Sequence, residues 1–278
     1  MGKSIGIISI KGGVGKTSVV SSLAASLAND FGKKVLVIDG NFSAPNLGLQ
    51  LGFVNPEVTL HHVLDGKAKA HDAVYSTEYG FDILPGALVY NNARLDYLKL
   101  AEKLRDLRRK YDVLLIDSSP NMNNEILATM LASDELLVVT TPDYVTLGTT
   151  LRAVKLAKEK RTHITGLIIN KNYGKSFELS PEEIEEMSGV GVLAVIPHDL
   201  NVLKALAECR PSTLDEKNKR SKSSLEYTKL AAALVGEDFE ESGLKSLLKR
   251  LAFWKSVPKH EINRAILKND RLGNPFYS

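Results

Sequence analysis

The sequence has little cysteine and no long apolar run. Its 278 residues include a single cysteine, Cys209, so the chain can form no internal disulfide and contains no Cys-x-x-Cys metal motif. No apolar stretch approaches the roughly 18 residues that a membrane-spanning helix needs, and no signal peptide precedes the first apolar run. These absences exclude a disulfide scaffold, a cysteine-ligated iron–sulfur site and a helical membrane span, and they predict a cytoplasmic protein.

Acidic residues are scarce near the C-terminus. Residues 241–278 contain eight Lys or Arg but only three Asp or Glu, whereas residues 1–240 contain 28 and 30. The formal net charge of +3 therefore arises from the C-terminal segment alone. This asymmetry predicts that the segment contacts an acidic partner or anionic lipid.

Short β-branched runs alternate with longer helical patterns. Strands are predicted at 4–10, 34–39, 81–84, 112–117, 135–140, 164–170 and 191–196, and helices at about 16–30, 92–109, 123–132, 145–160, 199–208 and 222–235. Several strands, such as 113–116 and 167–169, are continuously apolar, which indicates burial on both faces. The alternation predicts an α/β fold with a doubly wound, mostly parallel sheet and helices on both faces.

Composition divides the chain into four parts. Residues 1–236 form the predicted α/β domain, and residues 237–243, an acidic stretch that ends in glycine, read as a linker. Residues 244–255 have the pattern of a basic amphipathic helix. For residues 256–278 we expect a partly disordered tail, in which Ile262, Ile266 and Leu267 suggest a second short helix.

A phosphate-binding loop is predicted at residues 11–17, Lys-Gly-Gly-Val-Gly-Lys-Thr, because this stretch lies between a strand and a helix. Glycines let the backbone N–H groups point at phosphate oxygens, and the helix adds the positive end of its dipole. Lys16 would reach the β- and γ-phosphates, and the Thr17 hydroxyl would ligate Mg²⁺. The predicted nucleotide-binding residues of this loop are Gly12, Gly13, Val14, Gly15, Lys16, Thr17 and Ser18.

Two further predicted strands end in a carboxylate. Asp39 ends the predicted strand 34–39, and Asp117 ends the apolar strand 112–117. In a parallel sheet both would lie beside the phosphate loop, where a carboxylate can hold Mg²⁺ through water or orient the attacking water. We therefore predict Asp39 and Asp117, together with Thr17, as the metal-binding set.

The lysine at the first position of the loop is unusual. With Lys11 in place, residues 11–17 resemble the deviant Walker A motif of the MinD/ParA family of P-loop ATPases. Further similarity to the archaeal and bacterial MinD branch lies at residues 45–52, 58–66, 83–86, 140–142, 169–171 and 195–199. The resemblance covers residues 3–235 and implies an Mg·ATP-dependent ATPase that dimerises on ATP, with Lys11 and Lys16 as catalytic residues and Lys11 reaching the partner's nucleotide.

The resemblance also implies a site for the base. In the family, the position of Asn170 recognises adenine, and the segment around Pro197 and Asp199 borders the base. An amide at a strand end can donate to and accept from one base edge. Without the resemblance, Asn170 reads equally well as a turn residue at the end of its strand.

The sequence departs from the family at two places. Asn41 stands where the family usually has an aspartate that places the attacking water, and an amide cannot accept a proton from that water. Because phosphoryl transfer depends mostly on positioning and charge neutralisation, we expect slow hydrolysis, with a nucleotide-locked scaffold as the alternative. Residues 121–124, Asn-Met-Asn-Asn, replace small residues and could alter the dimer contact near the γ-phosphate.

The C-terminal segment has the pattern of a membrane-binding helix. An apolar stripe of Leu244, Leu247, Leu248, Leu251 and Trp254 follows helical spacing, and Lys245, Lys249 and Arg250 occupy the other faces. It resembles the membrane-targeting helix of MinD proteins, and two copies in a dimer would bind by avidity. Packing against the chain's own domain and contact with a partner protein remain the alternatives.

Together these features predict a cytoplasmic ATPase held peripherally on the inner face of the cell membrane. It would position a cellular assembly, such as a division site or a surface or motility apparatus, with an unidentified activator or cargo protein. The alternative of a ParA-like ATPase that partitions DNA is less favoured, because DNA binding needs a basic domain surface and residues 1–240 have a slight acidic excess.

Overall fold

The computed structural model describes residues 1–90, 95–214, 221–239 and 257–272. Eight strands form one sheet in the order β3-β4-β2-β5-β1-β6-β7-β8. They are β1 Lys3–Ile8, β2 Val35–Gly40, β3 Tyr75–Ser76, β4 Asp82–Leu84, β5 Val113–Ser118, β6 Glu135–Thr140, β7 His163–Asn172 and β8 Val192–Pro197. Only the pairing of β3 with β4 is antiparallel among these strands, which confirms the predicted mostly parallel α/β sheet.

Helices cover both faces of the sheet. They are α1 Lys16–Asn29, α2 Leu47–Gln50, α3 Leu60–Leu64, α4 Leu100–Lys103, α5 Asn124–Ala132, α6 Tyr144–Glu159, α7 Pro181–Ser188, α8 Leu200–Ala207, α9 Lys222–Val235 and α10 Lys259–Leu272. In the part of the chain that the structure describes, no helix has the length and apolar character to cross a membrane.

Alternating side chains of each strand supply two different cores. Ile7 of β1 packs in the cluster beneath α1 and α9, whereas its neighbour Ile8 packs in the cluster on the opposite face, with α5 and α6. A strand buried on both faces must be apolar at consecutive positions, which explains the continuous apolar runs in the sequence. The sheet is therefore a rigid, doubly covered platform for the loops at its edge.

One predicted helix is wrong. The leucine spacing predicted a single helix over 92–109, but residues 95–109 contain only α4 and two 3₁₀ turns, Tyr97–Lys99 and Leu107–Arg109. Leu100, Leu104 and Leu107 are all buried in the cluster on one face of the sheet, so short turns satisfy the same periodic pattern. Apolar periodicity reports which residues face the core, and it does not by itself fix a continuous helix.

Four of the labelled elements had no predicted counterpart, namely strand β3 and helices α2, α3 and α7. The two-residue strand β3 is too short to produce a pattern in sequence. Helix α7 begins with a capping box between Ser180 and Glu183 and has Pro181 at its first turn, which is a start signal that sequence can show. Its eight residues carry one buried apolar side chain, Ile184, so its periodicity is weak.

Helix α10 packs on α9, β8 and α7 and inverts the usual amphipathic arrangement. Arg264 and Arg271 are 6% and 7% exposed, whereas Ile262 and Ile266 are 47% and 54% exposed. Buried charged groups therefore help to attach this helix to the domain, alongside the partly buried Leu267, which packs against the cluster beneath α1 and α9.

Ion pairs account for that attachment. Arg264 pairs with Glu226 of α9, and Arg271 pairs with Glu135 at the start of β6, which Lys3 also contacts at 3.0 Å. The predicted basic helix 244–255, with its membrane-binding side chains, lies outside the described residues, as does most of the predicted linker.

Replacement of Arg271 by alanine should destabilise the protein, because Glu135 would remain buried with only Lys3 as a cationic partner. We expect Arg271→Ala to lower the free energy of unfolding by roughly 2–3 kcal/mol, less than for a fully orphaned buried charge. Urea denaturation followed by circular dichroism measures the change.

Lys268→Ala on the same helix is the matched control. Lys268 pairs with Asp238, whose side chain is 83% exposed, so its loss should cost less than about 1 kcal/mol. Equal losses in the two variants would contradict the view that buried charge fixes α10.

Candidate nucleotide site

The loop between β1 and α1 has the conformation of a phosphate-binding cradle. Gly13 and Gly15 have φ values of 79° and 96°, in the left-handed region that favours glycine. A Cβ atom on Gly15 would lie 2.4 Å from Asn170 Nδ2, so a larger residue cannot fit there. This close approach explains the glycine at the residue that precedes α1.

Two side chains from the end of β7 brace the loop. Asn170 Nδ2 donates to the Val14 carbonyl at 2.8 Å, and Lys171 Nζ donates to the Gly13 carbonyl at 2.7 Å. These carbonyls are satisfied from outside the cradle. Lys171 was not predicted as a site residue, although its position directly after Asn170 at a strand end was a signal.

Asn170 was predicted to read adenine, and the structure shows its present contacts. Its Oδ1 accepts from the Lys171 backbone N–H at 2.9 Å, and the side chain is 6% exposed while still lining the cleft. Both polar atoms of the Asn170 amide thus form hydrogen bonds with the protein backbone, Nδ2 with Val14 and Oδ1 with Lys171.

Adjacent strands bring two carboxylates together beneath the loop. Asp39 on β2 pairs in register with Asp117 on β5, and both are almost completely buried. Asp117 Oδ2 accepts from the Thr17 hydroxyl at 2.6 Å, and Asp39 Oδ2 accepts from the Leu47 N–H at 3.0 Å. Asp117 Oδ1 is buried without a hydrogen-bond partner among the described residues.

Burial dominates the electrostatics of this pair. Burial, together with repulsion from Asp117, raises the pKa of Asp39 to about 8, against the backbone N–H groups that lower it. Burial likewise raises the pKa of Asp117 to about 6, opposed by the Thr17 hydrogen bond and by Lys16. The pKa of buried Lys16 is lowered by desolvation, with Asp117 opposing. A bound cation would therefore stabilise the charged forms of Asp39 and Asp117, and a bound polyphosphate would stabilise the charged form of Lys16.

The donor set fits Mg²⁺. This cation prefers hard oxygen ligands and binds through one or two carboxylates plus phosphate oxygens and waters. The free Oδ1 of Asp117 and the Thr17 hydroxyl provide such oxygens, with Asp39 next to them. Among the described residues, no cluster of three or more His, Cys, Asp or Glu side chains could hold a metal ion.

Two asparagines complete the phosphate end. Asn41 Nδ2 donates to the Ala44 carbonyl at 2.6 Å, which shapes the loop after β2. Asn46 Oδ1 lies 3.2 Å from the Thr17 hydroxyl, so it shares that group with Asp117. Both asparagines line the cleft, but only Asn41 was predicted as a site residue.

Lys11 points away from its own phosphate loop. Its Nζ donates to the Thr146 hydroxyl at 2.7 Å and lies 3.7 Å from Asp143, at the start of α6. Burial raises the pKa of Asp143, but hydrogen bonds from Thr141 and Thr146 outweigh it, so the pKa lies below its ordinary value. The lysine is therefore held by an anionic, hydroxyl-rich group of its own chain.

The cleft has a volume of about 400 Å³ and extends from the loop to β8 and α8. Its predicted lining residues are Gly12, Gly13, Gly15, Lys16, Thr17, Ser18, Asn41, Asn170, Pro197 and Asp199. Tyr173 and His198, whose ring centroids are 4.4 Å apart, also line it and were not predicted. The two rings are tilted by 59° to each other, so each one separately offers a face on which a base can stack beside Pro197.

Asp199 is committed to capping. Its carboxylate accepts from the Asn201 N–H at 2.9 Å and from the Ser223 hydroxyl at 2.6 Å. Burial raises the pKa of Asp199, but the bonds from Ser223, Asn201 and Ser221 outweigh that effect and lower it. Asp199 thus fixes the starts of α8 and α9 and holds the wall of the cleft in place.

Comparisons with known proteins agree with this geometry. A family model described as an AAA domain matches residues 2–165. An uncharacterized ATP-binding protein of Methanocaldococcus jannaschii is 34% identical over 241 residues, which cover 86% of this chain and 90% of that protein.

Two solved structures are similar over most of the chain. The cell division ATPase MinD of Pyrococcus furiosus is 36% identical with a TM-score of 0.78, over 83% of this chain and 97% of its own. The septum site-determining protein MinD of Pyrococcus horikoshii, solved with Mg-ADP, is 35% identical with a TM-score of 0.77, over 83% and 95%. Because the family model matches residues 2–165 and these relatives are 34–36% identical over more than four fifths of the chain, the chain belongs to the MinD/ParA family of P-loop ATPases.

Proposed function

We propose that the protein is a MinD-like ATPase that binds Mg·ATP, dimerises on ATP, hydrolyses it slowly to ADP and phosphate, and positions a cellular assembly from the inner face of the cell membrane. The observation that carries the proposal is the convergence of Lys16, Thr17 and Asp117 at the phosphate loop. A septum or a surface or motility apparatus is the kind of assembly involved, with an activator or cargo protein still to be identified.

The site's own residues account for nucleotide binding. The loop N–H groups and the dipole of α1 bind the phosphates, and Lys16 neutralises charge at the β- and γ-phosphates. Thr17 and Asp117 hold the Mg²⁺ ion, with Asp39 beside them. Bound Mg²⁺ would neutralise charge on the transferred phosphoryl group. Asn170, Pro197 and the Tyr173–His198 pair form the end of the cleft that suits adenine.

Dimerisation is assigned to Lys11. A lysine that reaches a partner's phosphates must leave its contacts with Thr146 and Asp143, so the two arrangements compete. Charge on a triphosphate exceeds that of one half-exposed carboxylate, which favours the arrangement across the dimer when ATP is bound.

Lys11→Ala should therefore weaken the ATP-dependent dimer by at least about tenfold, since one charge-assisted hydrogen bond contributes about 1.5–3 kcal/mol. Sedimentation velocity with ATP and with ADP measures the monomer–dimer equilibrium. Lys175→Ala, an exposed lysine on the same edge, is the matched control and should dimerise like the wild type. A Lys11→Ala dimer as strong as the wild-type dimer would contradict this role.

The slow rate is assigned to Asn41. Its amide can hydrogen-bond a water but cannot take its proton, and its Nδ2 is committed to the Ala44 carbonyl. Phosphoryl transfer still proceeds without a base, because positioning and charge neutralisation supply most of the catalysis.

Asn41→Asp should raise the hydrolysis rate at saturating ATP by about 10²-fold, the lower end for a positioned proton acceptor. Asn41→Ala removes the same bond to Ala44 without adding a carboxylate, so it separates the two effects and should not be faster than the wild type. A single-turnover assay measures all three proteins. An unchanged rate in Asn41→Asp would show that Asn41 does not limit turnover.

Membrane attachment is assigned to residues 244–255. Their leucine stripe and surrounding lysines have the composition of an interfacial helix, and one copy of such a short helix binds marginally. A dimer presents two copies, so the effective concentration of the second copy couples ATP binding to attachment.

Leu248→Glu/Leu251→Glu in the full-length chain should reduce ATP-dependent binding to phosphatidylglycerol vesicles by about 10²-fold or more, since burial of each leucine contributes about 1.5–3 kcal/mol. Point substitutions are preferable to removal of the C-terminus, because truncation also deletes α10 and its buried arginines. Val54→Glu/Leu98→Glu, at exposed apolar sites on the domain, is the matched control. Vesicle binding that both double variants retain in full would contradict the assignment of membrane attachment to residues 244–255.

A further inference from the structure

The loop that follows β2, residues 41–46, contributes two side chains to the nucleotide cleft. Asn41 and Asn46 both line the cleft, and Asn46 Oδ1 lies 3.2 Å from the hydroxyl of Thr17. Between the two asparagines, Ser43 and Ala44 are exposed. Because these two residues connect the asparagines along the chain, a contact that holds them also influences where the asparagines lie.

A buried carboxylate holds the exposed tip of this loop. The Ser43 hydroxyl donates to Oε1 of Glu125, which lies in the first turn of α5. Glu125 is only 2% exposed, and its other oxygen, Oε2, is buried without a hydrogen-bond partner among the described residues. Such an oxygen destabilises the fold, because it loses its contact with water and gains no hydrogen bond in return. The nucleotide chemistry described above assigns no role to Glu125.

The segment 121–124, which departs from the family, sets the position of Glu125. Asn123 Oδ1 accepts from the Glu125 N–H at 3.0 Å and so caps the start of α5. Directly before the segment, Pro120 lines the cleft, and a Cβ atom on Gly12 of the phosphate loop would lie 3.9 Å from it. The chain after β5 therefore runs from the phosphate loop to the carboxylate that holds Ser43.

The contact between Ser43 and Glu125 reaches Asn41 through one carbonyl group. Asn41 Nδ2 donates to the carbonyl of Ala44 at 2.6 Å, and Ala44 directly follows Ser43. No described residue donates to Asn41 Oδ1, so this oxygen is the amide atom that remains for a water in the cleft. The hydrogen bond at Ser43 thus helps to fix the carbonyl that orients the Asn41 amide.

The preceding part of the loop is held independently. The ring of Phe42 stacks on Tyr97 with centroids 4.5 Å apart, and the Phe42 carbonyl accepts from His61 Nε2 at 3.0 Å. Loss of the bond between Ser43 and Glu125 should therefore shift the tip of the loop without unfolding it.

We propose that Glu125 is a positioning residue for ATP hydrolysis, which acts through Ser43 and the Ala44 carbonyl to direct Asn41 Oδ1 toward the attacking water. The inference rests on the ATP hydrolysis proposed above and adds a residue that touches neither the nucleotide nor the water. Displacement of a positioning group by about 1 Å can cost about 10²-fold in rate, so a contact outside the cleft can control hydrolysis. The unpartnered carboxylate is then retained for turnover and not for stability.

Ser43→Ala/Glu125→Met in the full-length chain separates positioning from stability. The variant loses the bond together with the unpartnered carboxylate, so it should be at least as resistant to urea as the wild type. Its single-turnover hydrolysis rate at saturating Mg·ATP should nevertheless fall by about tenfold or more. Its affinity for Mg·ADP, measured with a fluorescent ADP derivative, should be unchanged because the phosphate loop is intact.

The two single variants test whether Ser43 and Glu125 act as a unit. Ser43→Ala and Glu125→Met each break the same bond, so each should lose as much rate as the double variant, and the losses should not add. Glu125→Gln keeps an oxygen that can accept from the Ser43 hydroxyl and should recover most of the wild-type rate.

Ser180→Ala/Glu183→Ala is the matched control. The same two residue types form a hydrogen bond of 2.8 Å at the start of α7, and neither residue lines the nucleotide cleft. This variant loses a helix cap, so it should be less stable than the wild type but should hydrolyse ATP at the wild-type rate.

The outcomes distinguish this inference from the proposed function. If the wild type hydrolyses ATP and the double variant of Ser43 and Glu125 is equally fast, Glu125 is not a positioning residue, although the proposed ATPase stands. If the wild type does not hydrolyse ATP in a single turnover, the proposed hydrolysis and this inference both fail. A rate that falls only together with stability or ADP affinity would make Glu125 a structural residue and overturn the inference. Additive losses in the two single variants would also overturn it.

Discussion

The buried carboxylate pair is the constraint on which the rest of the structure depends. Asp39 and Asp117 lie side by side on neighbouring strands, away from water, and the charge of Asp117 raises the pKa of Asp39 beyond the effect of burial. Coulomb repulsion at this depth is poorly screened, so the pair is stable in the charged form only when a cation joins it. The fold thus holds an arrangement that is incomplete without a ligand.

Strand β7, which is distant in sequence from the phosphate loop, holds the loop in place. Asn170 and Lys171 bind loop carbonyls from the end of β7, and Gly15 permits the contact because it has no side chain. On the other side, Lys11 is directed toward α6. The loop is therefore fixed at its centre and adjustable at its first residue.

The parts of the fold that repeat a strong pattern could be predicted from sequence. The continuous apolar strands predicted the parallel sheet. The glycine loop and the aspartates at the strand ends predicted the phosphate end of the cleft. The broken segment at 95–109 could not be predicted, because three buried leucines satisfy one spacing in either a helix or successive turns.

Contacts between side chains that are distant in sequence could not be predicted either. Lys171, Asn46 and the Tyr173–His198 pair belong to the site only because β7, β8 and the loop after β2 converge there. The orientation of Lys11 toward Asp143 and Thr146 depends likewise on the packing of α6. Sequence identified residue types suited to phosphate and metal, whereas tertiary contacts decided which of them brace the cradle and which remain available.

The inward-facing arginines of α10 have a mechanical consequence. Because α9 and α10 are both packed on the domain, the described chain on either side of residues 240–256 is attached to it. A surface that binds this stretch would hold the domain by two chain connections instead of one. A domain held by one flexible connection can rotate freely, whereas two connections restrict its rotation. The bound surface would therefore determine the direction in which the nucleotide cleft of the domain faces.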